Sequence, residues 1–413
     1  MRPLLLAACL FVTLVTATNV YGALPTITPH EAGYDPAKLE AIRIKVDALY
    51  EDGRIPNYVV ALAKDGKVFY QAIRGEGTLG EPETKVDLDT IFWLASKSKP
   101  IVSTAAFQLI EEEKLQLKDK LGDFFPIFDD LLVAPGGSFE SAFEELTREI
   151  TVKDLLTHTS GFTYGESVIG LGDVAKQYDE MGVMSMGNTL EDNLVLLAEV
   201  PLIAQPGKSF NYSVSIDVLG AIMEKIEGKR LSLILRERVF EPLGMLNSGF
   251  NSNDFSEGAT IASLYSVPGP GQRPIGRIPG SEEDVPWRIS ESPLTQLGYP
   301  DSVKFDSGGG GLWASADNFL RYAMMIANNG VLDGQRVLQP TSVKAQLTNL
   351  VPGLDLNAFM RNFGEAARLM SFGGGLGIKR EKVDTEDVDY FFWGGLCNTS
   401  FWIDPKDESH DFS

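Results

Sequence analysis

The chain has 413 residues, with 36 Lys and Arg against 57 Asp and Glu, a formal net charge of −21. That acidity disfavours nucleic acid and anionic membrane surfaces as partners, and the length suffices to bury a core without covalent staples. Two cysteines and three histidines leave little room for a disulfide framework or a metal cluster of thiols.

Met1-Arg2 precedes an apolar stretch from Leu4 to Val15, and Val20-Tyr21-Gly22 ends it with small residues. A basic start, a short apolar core and a small-residue end describe a cleavable signal peptide over residues 1–22. The core is too short to span a membrane, so residues 23–413 are expected as the mature, secreted or periplasmic protein. Leu6-Ala7-Ala8-Cys9 resembles a lipoprotein box but sits too early for a full apolar region to precede it, so the lipoprotein reading is set aside. Cys9 leaves with the signal, which makes Cys397 the sole mature cysteine.

Asp35-Pro36 opens a helix with an apolar stripe of Leu39, Ile42, Val46 and Leu49, closed by Gly53. Tyr58 to Lys64 and Lys67 to Ile73 read as strands joined through Asp65-Gly66, a two-residue hairpin signal. From Ser96 to about residue 330 the pattern is helical, broken by Gly- and Pro-rich stretches. Thr151 to Asp154 forms a capping box. Ser215 is expected to cap a helix with Ile216, Leu219, Met223 and Ile226 on one face and Gly228 as its stop, and Ser315 to Ala327 is a further helix. Gly161–Gly187 and Asn251–Gly311 show no clear periodicity, and long irregular stretches often wall a functional site. Val388 to Trp393 and Thr399 to Ile403 return to strand character. The expected fold class is therefore α+β: an antiparallel sheet built from both ends of the chain, about 30–95 and 330–413, with a helical part inserted over about 96–330.

Ser96 is the only serine followed three positions later by a lysine, Lys99. A serine hydroxyl needs a neighbouring base to become a nucleophile. Positions i and i+3 of a first helical turn share a face, and a lysine can be that base if desolvation lowers its pKa. A chain of average composition holds roughly one or two such pairs by chance, and the bland alternative is a capping serine beside a solvated lysine. Of the three histidines, only His158 is centrally placed, and its neighbours Thr157, Thr159, Ser160 and Gly161 suggest a structural turn.

Two more stretches bear on the pair. Phe210-Asn211-Tyr212-Ser213-Val214 places a phenol at a loop–helix junction, where a lysine alongside can lower its pKa enough for it to accept a proton. Phe392-Trp393-Gly394-Gly395-Leu396 sets two glycines on a late strand, which reads equally as a simple bulge or as a place where a ligand or backbone must approach closely. In order, Ser96-x-x-Lys99, Tyr212-Ser213-Val214 and Trp393-Gly394-Gly395 resemble the serine β-lactamase and penicillin-recognising enzyme family. Leu155 to Gly161, Asp217 to Gly220, Pro242 to Met245 and Ser307 to Leu312 look similar too, so the resemblance covers essentially the whole chain from about residue 30.

The resemblance implies a β-lactamase/transpeptidase-like fold with Ser96 as nucleophile, Lys99 and Tyr212 sharing proton transfers, and an oxyanion held by the backbone N–H groups of Ser96 and Leu396. Trp393, Gly394, Gly395 and Leu396 would bind substrate. Class C β-lactamases and D-alanyl-D-alanine carboxypeptidases carry an asparagine where Val214 stands and a cation where Trp393 stands, so this chain is more similar to the esterase branch, the family VIII carboxylesterases. The expected activity is cleavage of carboxylic esters through an acyl-enzyme on Ser96, with a small-molecule ester or amide as the binding partner and no metal or organic cofactor. The alternatives are a β-lactamase or D-amino-acid peptidase, and a non-catalytic or truncated relative acting as a binding or structural protein. The family's third motif is followed by two more strands and a helix. Here Thr399 to Ile403 supplies one strand and Asp404-Pro405 turns, so a strand and helix of roughly 20–25 residues are expected to be missing, leaving an open sheet edge.

Overall fold

Asp35 accepts a hydrogen bond from the Ala37 amide, and Pro36 occupies the first position of α1 (Pro36–Glu51). The computed structural model describes residues 23–78, 80–266, 287–288, 303–356, 368–382 and 387–405. The signal-like residues 1–22, residues 267–286 and 289–302 of the irregular stretch, and the tail 406–413 lie outside them. After α1, Asp65 and Gly66 both take positive φ, 51° and 74°. That geometry suits strand twist and pairs β1 (Asn57–Lys64) with β2 (Lys67–Gly75) antiparallel.

β3 (Ile91–Trp93) leads through a tight turn, Ala95–Lys97, into α2 (Ser98–Glu111). Every residue of α2 from Ser98 to Leu109 is buried, so this helix is the axis of the core. Thr151 opens α3 (Val152–Leu156) with the expected capping box to Asp154. The stretch read as irregular contains α4 (Asp173–Met181), closed by Gly182 at φ 66°. Nine residues are too few for periodicity to declare such a helix.

Tyr212 stands just ahead of α5 (Ser215–Glu227), which Gly228 ends in the left-handed region. Ser215 does not cap it: Val214 takes that position. The Ser215 hydroxyl instead lies 2.8 Å from those of both Ser160 and Ser213, a buried serine cluster that ties α5 to the turn after α3.

Next come β4 (Ser248–Gly249), β5 (Trp313–Ser315), α6 (Ala316–Ala327, capped by Ser315) and α7 (Pro340–Leu347). The chain closes with β6 (Met370–Phe372), β7 (Gly377–Arg380), β8 (Val388–Gly394) and β9 (Ser400–Ile403). The last four form one antiparallel sheet in sequence order, and β3, β5 and β4 form a second, with β5 central.

Both chain ends come together as expected, β1 and β9 each packing on α6. They do so as two ladders, with no pairing between β1 and β9 among the described residues. A groove of about 1050 Å³ runs between them, floored by Phe319, Ala323 and Met324 of α6. The α1 stripe faces it: Leu39 alone is fully buried, while Ile42 and Val46 stay half-buried along the groove.

Candidate active site

The residue before Ser96 has an unusual backbone. Ala95 sits at φ 46°, a region that costs a non-glycine residue free energy unless its surroundings impose it. They do: the Leu94 amide donates to the Leu312 carbonyl at 2.9 Å. The Ser98 hydroxyl accepts from the Leu312 amide at 3.0 Å and donates to the Ala95 carbonyl at 2.7 Å. The turn carrying Ser96 is thus pinned to Leu312, directly after the glycine run 308–311, and α2 begins directly behind it.

Lys99 lies on the first turn of α2, fully buried, with Nζ 3.3 Å from Ser96 Oγ. It also donates to the Tyr164 hydroxyl at 3.0 Å and the Gly309 carbonyl at 2.6 Å. Loss of solvent pulls this ammonium down to about 7, against the opposing charge of Asp217. A neutral amine then exists near neutral pH within reach of a hydroxyl, which is what a lysine base requires. The bland alternative, a solvated lysine, does not describe this residue.

Tyr212 completes the group. Its hydroxyl is hydrogen-bonded with Ser96 and accepts the Trp393 indole N–H at 3.3 Å. Here the expected pKa direction reverses. Burial raises the phenol well above its ordinary value, the bonds to Ser96 and Trp393 offset only part of that, and the Asp217 charge adds to it. Desolvation outweighs those hydrogen bonds, so the phenol stays protonated.

Tyr164 was not among the sequence candidates. It lies in the stretch without periodicity, in ring contact with Tyr212 at 5.6 Å between centroids, and burial raises its phenol far above the usual range. Only its place three residues after Gly161 could have hinted at it.

Trp393 is buried, 4% exposed, and spends its indole N–H on Tyr212. Gly394 ends β8 in the open, and Leu396 is 53% exposed. Gly395 has to be small: a Cβ there would collide with the Leu94 carbonyl oxygen. Its amide donates to the Thr399 carbonyl at 2.6 Å, and the Thr399 hydroxyl donates to Leu94 at 3.2 Å. The third motif is thereby strapped to the residue two before Ser96. Among the described residues, neither the Ser96 nor the Leu396 amide donates to a main-chain carbonyl. Val214 is 2% exposed and turns into the core instead of lining a wall.

His158 belongs to the scaffold. Its Nδ1 accepts the Ser213 amide at 3.2 Å, and its ring lies among Phe210, Tyr212 and Phe372. Burial holds its pKa well below normal, so it is a neutral ring that positions the Tyr212 segment. The groove between β1 and β9 touches the site's rim at Leu396, while Ser96, Lys99 and Tyr212 are not in its walls. Among the described residues, no group of three His, Cys, Asp or Glu side chains could hold a metal ion, and no helix is long and apolar enough to cross a membrane.

The chain is similar to several known proteins. A beta-lactamase family model matches residues 42–409. Esterase EstB of Burkholderia gladioli is 33% identical over 322 residues, 75% of this chain and 74% of that protein. An uncharacterised protein of Mycobacterium tuberculosis is 34% identical over 269 residues, 63% of this chain, and the match spans only 60% of that relative's length. Among solved structures, EstCE1, a hydrolase with promiscuous acyltransferase activity, superposes with a TM-score of 0.68 at 26% identity, covering 89% of this chain and 91% of that one. The chain belongs to the Beta-lactamase family and has its β-lactamase/transpeptidase-like fold.

Proposed function

We propose that this protein hydrolyses small carboxylic esters through an acyl-enzyme on Ser96. The observation that carries the reading is the buried Lys99 amine, held near 7 and 3.3 Å from the Ser96 hydroxyl. Lys99 takes the Ser96 proton as Oγ bonds to the ester carbonyl carbon, and the carbonyl oxygen becomes an oxyanion facing the Ser96 and Leu396 amides. When the carbon–oxygen bond to the alcohol breaks, Tyr212 donates its proton to the leaving alkoxide and recovers one from the Lys99 ammonium. Water then attacks the acyl-enzyme, passes its proton to the same pair, and Ser96 regains its hydrogen. The two pKa values pushed apart by burial divide the roles, with Lys99 as base and Tyr212 as acid.

The choice of esters over β-lactams rests on what stands at two positions. Val214 is buried among apolar side chains and Trp393 is committed to Tyr212, so neither an amide nor a cation stands there to meet a carboxylate. A carboxylate left unpaired at a desolvated site costs a few kcal/mol (~2 or more). The relatives named as esterases support the same choice. The signal-like residues 1–22 support action outside the cytoplasm.

The test is labelling with a fluorophosphonate, with the adduct located by mass spectrometry, alongside kcat/KM for p-nitrophenyl butyrate and for nitrocefin. An adduct on Ser96 and a strong preference for the ester are expected. Equal or faster turnover of nitrocefin sinks the ester assignment.

A further inference from the structure

Asp217 is buried, 4% exposed, on the first turn of α5, and no step above uses it. One of its carboxylate oxygens accepts the Ser307 hydroxyl at 2.5 Å and the Gly309 amide at 3.0 Å. The carbonyl of that same Gly309 accepts Lys99 Nζ at 2.6 Å. One residue therefore shows its N–H to a carboxylate and its C=O to the catalytic lysine. Gly309 has no side chain for a reason: a Cβ there would run into the Asp217 carboxylate.

From this arrangement we infer that Asp217 is the counter-charge of the Ser96–Lys99 pair, acting through the Gly309 backbone and held in place by Ser307. The inference rests on the hydrolase reading above and assigns a positioning residue to it. When Lys99 takes the serine proton, a cation forms in a place with little water. The ionisable groups facing it are Tyr164, Tyr212, His158 and Asp217. Burial keeps both phenols protonated and the imidazole neutral. That leaves the carboxylate as the anion among them. Burial raises its pKa above the ordinary carboxylate value, and Ser307, Lys99 and the Gly309 amide, which favour the charge, offset only part of that. A fixed anion reached through an aligned peptide group stabilises charge as it develops, without reorganisation.

Asp217→Asn is the decisive variant, because an amide oxygen can keep both hydrogen bonds while the charge is lost. Without the anion Lys99 stays neutral to lower pH, so the acidic limb of kcat/KM should move down by about one unit. The ammonium in the transition state loses its partner at the same time, so kcat should drop on the order of tenfold with KM little changed. Ser307→Ala, which leaves the charge but removes a bond supporting it, should do both to a smaller degree. Both variants are read with p-nitrophenyl butyrate across pH. In parallel, the Lys99 side-chain titration is followed by 13C NMR of the lysine Cε, assigned with Lys99→Met. An acidic limb and an NMR midpoint that stay put in both variants overturn the inference and leave Asp217 structural. If the unaltered protein fails to turn over the ester while the NMR midpoint moves with Asp217, the hydrolase reading falls and the charge coupling stands.

Discussion

Lys97 and Lys99 are two residues apart, both buried, and both pulled down to about 7 by loss of solvent. Their surroundings are otherwise unlike. Residues i and i+2 of a helical turn point to different faces. Lys99 meets Ser96, Tyr164 and the Gly309 carbonyl. Lys97 lies on the wall of the groove between β1 and β9, its ammonium 3.8 Å from the Phe319 ring centroid, and no acceptor or carboxylate partners it among the described residues. A depressed pKa is thus a consequence of burial, and on the proposed reading it becomes chemistry only where a nucleophile, a second proton carrier and a counter-charge converge.

The sharpest way to break this contrast is to remove each lysine in turn. Ser96→Ala and Lys99→Met should each cost about 10⁴-fold or more in kcat/KM for p-nitrophenyl butyrate, with the double variant no worse than either single one. Lys97→Met should turn over at close to the unaltered rate. A comparable loss in Lys97→Met would show that the two buried amines are not functionally distinct.

Stability should separate the lysines in the other direction. Lys97 has a folded pKa of about 7 against the ordinary 10.5, so between those values the unfolded chain holds a proton that the folded one does not. Folding stability should therefore rise with pH through that window, and the burial penalty is fully present below about 7. Lys97→Met removes a cost of roughly a few kcal/mol, so its melting temperature should exceed that of the unaltered protein at pH 7, with the gap narrowing towards pH 10. A melting temperature at or below the unaltered value at pH 7 would mean that Lys97 has a compensating interaction.

The smallest effect concerns the support of Tyr212. Trp393→Phe keeps an aromatic ring over Tyr212 but removes the indole N–H that its hydroxyl accepts. One neutral hydrogen bond is worth about 1 kcal/mol, so a loss of several-fold in kcat is expected, with KM moved less. A change confined to KM would instead place Trp393 on the substrate.

Much of this was legible in the chain because it depends on neighbours in sequence. Asp35-Pro36, Asp65-Gly66 and the Thr151–Asp154 capping box act within a few residues, and each forms the element expected. The Ser96–Lys99 spacing puts both side chains on one turn whatever the rest of the fold does. Ser215 shows the limit: its residue type favours a cap, but partners 55 and two positions away, Ser160 and Ser213, claim its hydroxyl. Tyr164 and Asp217 were missed as parts of the site for the same reason. Their roles depend on Lys99 and Gly309, which are distant in sequence.

By itself, then, the sequence determined the local elements, the order of the three motifs and the pairing of Ser96 with Lys99, since turn chemistry and helical spacing are properties of short segments. Only the tertiary structure decided which lysine has partners, that the Tyr212 phenol stays protonated, and that Trp393 serves Tyr212. It also decided that Asp217 and Lys99 hydrogen-bond opposite ends of Gly309. Those outcomes depend on desolvation and on contacts between residues far apart in the chain, and both exist only once the core has closed around α2.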